Sequence, residues 1–320
     1  MLAVCLLIAA CGDNKTTTGG SKGEPPSPQV KFVPVAPDFN ADSAYAFIEA
    51  QLAFGPRVPN TKEHQACAAW IKEKFASYGG QVIMQNAILK AWDGTPLDAT
   101  NIIGIFNPQA GRRVLVSAHW DSRPFADKDP DNPNVPVPAA NDGASGVAVI
   151  LEIARQITQK APTIGVDFIL WDAEDYGQYS DNTSWCLGSQ YWSRNPHQAG
   201  YNPKYGINLD MVGAKDAHFL KDGWSLQYAR PQVDMVWNTA HNLGYGAFFP
   251  LAEKDIASID DHYYVQEIAG IPMVEIIDRD INTGEFFPHW HTVKDDITSI
   301  DKATLKATGQ VVMEVLYREK

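Results

Sequence analysis

Six short apolar runs organise the sequence: QVIMQNAIL (81–89), TNIIGIF (100–106), RRVLVSAHW (112–120), VDFILW (166–171), YGINLDMV (205–212) and MVEIID (273–278). Most lack the strict apolar–polar alternation of a strand with one wet face, so they read as strands buried on both sides. Segments of helical spacing lie around them: ADSAYAFIEAQLAF, stopped by Gly55-Pro56; TKEHQACAAWIKEKFASYGG, closed by Gly79; GASGVAVILEIARQIT; PQVDMVWNTAHNL; DDHYYVQEIAG; and the C-terminal KATLKATGQVVMEVLYRE. Buried strands alternating with helices imply an α/β fold, a single domain with a central mixed, mostly parallel twisted sheet flanked by helices. With 320 residues, 45% of them hydrophobic, the chain is long enough to bury one large core.

Sheets of this kind gather ligands at the carboxyl ends of their strands. That rule sorts the polar residues. VLVSAH ends in His119, with Asp121 two residues on; Asn141-Asp142 opens a Gly-rich helix; FILW runs into Asp172, Glu174 and Asp175; INLD ends in Asp210. Asp260, Asp261 and His262 stand at a helix start, and His289-Trp290-His291 in a loop. Taken singly, each has an ordinary explanation. A strand-end His is commonly a hydrogen-bonded loop residue, NDG is a frequent turn, and DDH can cap a helix. Taken together, they concentrate negative charge on one edge, and three carboxylates within four positions repel one another unless something neutralises them. A divalent cation does so, and mixed Asp/Glu/His ligation suits zinc.

The ordered series SAHWDS, AANDGASG, DAEDYG, NLDMVG, DDH and HWHT resembles the M28 zinc peptidase superfamily and, within it, the glutaminyl cyclase family, over residues 40–320. The resemblance implies one zinc ion per chain, held by Asp142, Asp175 and His291. It implies Glu174 as the acid/base, Asp210 and Asp260 as carboxylates sharing its proton, and Trp185, Phe287 and Trp290 as walls of the substrate pocket. His119, Asp121 and His262 are left as supports or as ligands of a second metal. Asp175 departs from the animal enzymes, which have Glu there. The implied reaction is cyclisation of an N-terminal glutaminyl residue to pyroglutamate with release of ammonia. The substrate's own amine is the nucleophile, and the partners are peptides or proteins that begin with Gln. His119, Asp142, Asp175, Asp210 and His291 are also the ligand types of a two-zinc aminopeptidase, so that activity is the alternative. Bulky Phe286, Phe287 and Trp290 beside a ligand favour a tight pocket and hence the cyclase. A non-catalytic binding protein on the same fold would have lost the Glu or a ligand, and neither is lost.

The net charge of −12, with no Lys/Arg run, excludes a nucleic-acid surface. The opening MLAVCLLIAACGDNK reads as a signal peptide over 1–11 whose end, Ile8-Ala9-Ala10-Cys11, resembles a bacterial lipobox. A polar Gly/Thr/Ser/Pro tether follows over 12–39. The expectation is an exported monomer, lipid-anchored through Cys11 and facing the periplasm, with no other membrane contact. Cys67 and Cys186 are open to either a disulfide or buried free thiols.

Overall fold

All six expected strands form, and they lie in one sheet in the order β1-β2-β4-β3-β5-β6 in a computed structural model that describes residues 32–320. Strands β3 (Arg113–His119), β4 (Gly165–Trp171), β5 (Gly206–Asp210) and β6 (Met273–Ile277) are mutually parallel. On one side β1 (Gln81–Lys90) and β2 (Pro96–Phe106) pair antiparallel as a hairpin, and β2 runs antiparallel to β4. The mixture follows from the connections. A tight turn closed by Ala91 N–H donating to Thr95 O (2.9 Å) reverses the chain, whereas the parallel strands are joined by long helical crossovers.

The pleat divides the core. Val166, Phe168 and Leu170 of β4 face the larger cluster, built with helices α1 (Ala41–Leu52), α2 (Lys62–Ser77), α3 (Ala144–Gln159), α5 (Gly223–Asn242) and α7 (Lys302–Arg318). Ile169 and Trp171 face a smaller one with Trp192 of α4 (Leu187–Arg194) and Val265, in the π-helical turn that follows α6 (Asp261–Tyr264). Covering on both faces is what the unbroken apolar runs require.

Three expectations need correction. Helix α4 has no counterpart among the expected helices, because eight residues give little periodicity and its entry, Cys186, is left-handed (φ 55°). Helix α5 begins at Gly223, where the Asp222 carboxylate accepts from Trp224 N and Ser225 N, rather than at Pro231. Pro231 sits inside it, and the helix breaks two residues earlier, at Ala229 (φ −137°, ψ 29°). The expected tether of 12–39 overlaps packed chain at its end. Val35 N and Ala36 N each donate to the Glu314 carboxylate at 3.0 Å, Phe39 N donates to Gln310 Oε1 at 2.8 Å, and the Phe39 ring is buried. The compact unit therefore starts at Pro34. Cys11 and residues 12–31 lie outside the described residues. Cys67 and Cys186 are both buried free thiols. Among the described residues no helix is long and apolar enough to cross a membrane.

Candidate metal centre and catalytic cleft

His119 ends β3, the turn Asp172–Asp175 leaves β4, and Asp210 ends β5, so the carboxyl edge of the sheet delivers three of the expected groups directly. Asp142 arrives from the loop before α3, which must press against β3. A Cβ on Gly143 would lie 2.5 Å from His119 O, so only glycine allows the approach. Asp295 fixes this loop: its two carboxylate oxygens accept from Asn141 N (2.8 Å) and Asp142 N (3.1 Å). Asp121 does the same for the β4 turn, accepting from Glu174 N (3.1 Å) and Asp175 N (3.2 Å). It is thus a backbone clamp behind the site. Asp172 points away and pairs with His64 Nε2 at 2.9 Å.

Ligand atoms of Asp142, Asp175 and His291 lie within 4.8 Å of one another. His291 Nε2 is 3.1 Å from Asp175 Oδ1 and 3.6 Å from Asp142 Oδ2. Asp142 Oδ2 and Asp175 Oδ2 are buried without a hydrogen-bond partner. Two carboxylates in that state are costly unless a cation sits between them. Two oxygens and one imidazole nitrogen leave the fourth tetrahedral position of a zinc site open, so the residues fit the ion. The other nitrogen, His291 Nδ1, meets Tyr179 Oη at 2.7 Å and lies 3.5 Å from Asp127 Oδ1, an arrangement that fixes the ring with Nε2 inward. Arg123 braces Asp175, donating to its backbone O at 3.0 Å and reaching Oδ1 at 3.4 Å. Burial raises the Asp175 carboxyl, against the pull of His291.

A second trio, His119, Asp142 and Asp210, shares Asp142 with the first. Its atoms already have partners: His119 Nε2 is 2.9 Å from Asp142 Oδ1 and 3.3 Å from Asp210 Oδ1. Burial opposes a charge on His119, but hydrogen bonds to Asp121, Asp142 and Asp210 outweigh it and hold the ring well above its ordinary range. His262 is not part of either trio. Its Nε2 is 3.0 Å from Asp222 Oδ1 and its Nδ1 2.7 Å from Glu275 Oε2, so both nitrogens serve buried carboxylates behind Asp260.

Glu174 projects beside the first trio with neighbours that favour its protonated form. Burial, together with the charges of Asp175, Asp260 and Asp261, holds it well above the usual carboxylate range despite His119. Its Oε1 accepts from the Cys186 thiol at 3.2 Å, and ligand atoms of Glu174, Cys186 and Asp260 fall within 4.8 Å of each other. Burial pushes Asp210 up to about 6 and, with the charge of Asp210 beside it, Asp260 up to about 7.

These groups open into a cavity of about 260 Å³ whose apolar walls include Trp185, Phe286, Trp290, Met211 and Ile277. Trp185 stacks over the His291 ring (centroids 6.0 Å, 17°) and Trp290 lies against it at 3.8 Å. Phe287 is not in the wall. It is buried beneath it with Met211, Ala214 and Ile277, and Phe286 takes the lining position with its ring 4.5 Å from Trp290. Neighbouring residues of an extended loop face opposite ways, and the sequence does not say which faces in. Asp295, Arg123, Asp127 and Tyr179 also escaped the sequence reading. They lie in irregular loops and act through side-chain contacts with residues distant in sequence, which leave no periodic signal.

Carboxylates and an imidazole converging beside an acid at the carboxyl edge of a mixed sheet place the protein among the α/β metalloenzymes. The chain belongs to peptidase family M28, whose family model matches residues 101–316. It is similar to a Zn-dependent exopeptidase from Parabacteroides distasonis (51% identity, TM-score 0.86, covering 89% of this chain and 100% of that one). It is equally similar to Bacteroides thetaiotaomicron glutaminyl cyclase bound to N-acetylhistamine (49%, TM-score 0.87, 89% and 100%). Among curated proteins it matches aminopeptidase YwaD of Bacillus subtilis at 29% identity over 74% of this chain, and it spans only 49% of that relative's length.

Proposed function

We propose that this chain cyclises N-terminal glutaminyl residues of peptides or proteins to pyroglutamate, releasing ammonia, with one zinc ion per chain. The observation that carries the reading is the cavity: about 260 Å³, walled by Trp185, Phe286 and Trp290, and ending at Glu174 and at the orphaned oxygens of Asp142 and Asp175. A space that small takes one residue's side chain. The solved glutaminyl cyclase at 49% identity supports the same reading.

Zinc at Asp142, Asp175 and His291 would supply Lewis acidity toward the γ-carboxamide carbonyl. The chain's own residues do the rest. Trp185, Phe286 and Trp290 hold the glutaminyl side chain and exclude water, so the tethered α-amine competes successfully as nucleophile. Glu174, with Oε1 engaged by Cys186, takes the amine proton at Oε2 and returns it to the leaving ammonia. Asp260, with Asp175 and Asp261, repels negative charge on Glu174 and so tunes it toward the proton affinity that such a relay needs.

The second reading, a two-zinc aminopeptidase, is favoured by one observation: the His119, Asp142 and Asp210 trio retains its ligand atoms within 4.8 Å. Metal content per chain, together with product mass, separates the two. The cyclase binds one zinc and converts a Gln-initiated peptide to a product lighter by one ammonia, with every peptide bond intact and a Leu-initiated peptide untouched. Two tightly bound metals with free Leu or free Gln released would establish the aminopeptidase instead.

We further propose, from Ile8–Cys11 and the polar segment after it, that the protein is exported as a monomer anchored by lipid on Cys11. Cys11→Ser should release it from membranes, and unchanged fractionation would remove the proposal.

A further inference from the structure

A glutaminyl residue that enters the cavity does so as the first residue of a longer chain, so the rest of the substrate must leave past the rim. On one side of that rim Tyr179 separates the cavity from a second depression of about 270 Å³, lined by Trp92, Phe125, Pro133, Gly177 and Tyr179. Tyr179 lines both, and they therefore adjoin across one side chain. The second depression collects exposed aromatic surface: Trp92 is 46% exposed, Phe125 37% and Tyr179 48%. These are three of the few large apolar residues left open to solvent on the described part of the protein, and they come from three separate segments. Trp92 sits in the β1–β2 turn, Phe125 in SRPFADKD, and Tyr179 in the loop after β4. Exposed aromatics gathered from distant segments beside a cavity mark a binding surface.

The two charged residues lining the depression are paired. Arg123 and Asp127, which also line the depression, neutralise each other through bonds at 3.0 Å and 2.6 Å. The Arg123 guanidinium also lies over the Tyr179 and Trp185 rings, 5.5 Å and 4.8 Å from their centroids, and so supports the wall between the two spaces.

We infer that the Trp92–Phe125 depression is a specificity subsite that binds an apolar or aromatic side chain at the second or third position of the glutaminyl substrate. An extended residue advances roughly 3.3 Å, so the chain clears the single Tyr179 side chain within about two residues. The inference rests on the cyclase reading and specifies its substrate class: peptides of the type Gln-Xaa-Phe or Gln-Phe, preferred over those with glycine there. Trp92 and Phe125 touch no reacting atom. They act through affinity for the part of the substrate that does not react.

The test is steady-state kinetics of the zinc-loaded full chain on glutaminamide and on amidated Gln tripeptides with Phe or Gly at positions two and three. Half-burying a phenyl ring corresponds to about a tenfold gain in kcat/KM. The gain should appear in KM, at whichever position reaches the depression. Trp92→Ala and Phe125→Ala should each reduce the Phe preference at least about threefold, while leaving kcat/KM for glutaminamide unchanged. That unchanged value also certifies folding of each variant. Equal kcat/KM for the Phe and Gly peptides in the unaltered protein overturns the subsite, as does a preference that survives the double variant. Failure to cyclise glutaminamide at all would be the failure of the cyclase reading, a distinct result.

Discussion

Strand β4 carries a buried aspartate at each end, and the two are treated oppositely. At the amino end Asp167 takes a bidentate grip from Arg113, with Nε donating at 2.7 Å, and the Tyr201 hydroxyl donates to it at 2.8 Å. At the carboxyl end, just past the strand, Asp175 has an imidazole at 3.1 Å, an Arg at 3.4 Å and one oxygen with nothing. Residue type and burial are the same, so burial alone does not mark function. The incomplete set of partners, together with an imidazole and a second carboxylate oxygen turned toward the same point, is what distinguishes Asp175.

The comparison is broken most severely by removing the ligands. Asp175→Ala or His291→Ala should abolish bound zinc, and turnover with it, as read by metal analysis and product mass. Asp167→Ala should leave metal content and per-molecule turnover intact while costing about 2 kcal/mol of stability, because it removes the charged bonds from Arg113 and the Tyr201 hydroxyl bond. Loss of zinc from the Asp167 variant would erase the distinction between the two ends.

Glu174→Gln comes next. It should keep zinc and cut kcat by about 100-fold or more, the usual reach of a general acid/base. Near-normal turnover would shift the proton relay to Asp210 or Asp260.

A smaller effect concerns pH and metal together. Burial holds Asp260 at about 7 and, helped by the charge of Asp142, Asp295 at about 8 in the folded protein, above their unfolded values. A carboxyl raised on folding binds its proton more tightly in the native state. Its contribution is therefore full below the unfolded value near 4 and is lost as pH rises through the folded one. Metal-free protein should accordingly lose on the order of 1–3 kcal/mol between pH 5 and pH 8 in denaturant melts. Zinc affinity should move the other way and rise with pH, since the ion requires deprotonated carboxylates and neutral imidazole. Metal-free protein that gains stability over this range would contradict the protonation assigned to the cleft.

The smallest effect is at Cys186, whose thiol donates to Glu174 Oε1. Cys186→Ala should lower kcat by about two- to tenfold with KM unchanged, and Cys186→Ser should restore it, since a hydroxyl replaces a weak donor. Equal kcat in all three would make the thiol a packing group only.

The six apolar runs fixed the strands, and the rule that ligands gather at strand ends correctly brought His119, Asp142, Glu174, Asp175 and Asp210 to one edge, because each stands at or just past the end of a strand or the start of a helix. The antiparallel hairpin, α4 and the break at Ala229 were not legible. Whether two neighbours pair parallel or antiparallel depends on how the connection runs, and a single left-handed residue such as Cys186 can start a helix without any repeat to announce it.

Identity and order of the chemical groups belonged to the sequence alone: which carboxylates exist, that they follow buried strands, and that aromatic residues flank His291. Their division of labour belonged to tertiary structure. Phe286 rather than Phe287 lines the cleft, His262 sits between Asp222 and Glu275, and Asp121 and Asp295 clamp backbone amides. The physical reason is that ligation, proton affinity and wall-lining depend on which atoms stand within about 3–5 Å of one another. Distances of that kind join residues more than a hundred positions apart, as between Asp175 and His291, and are set by packing rather than by any local pattern.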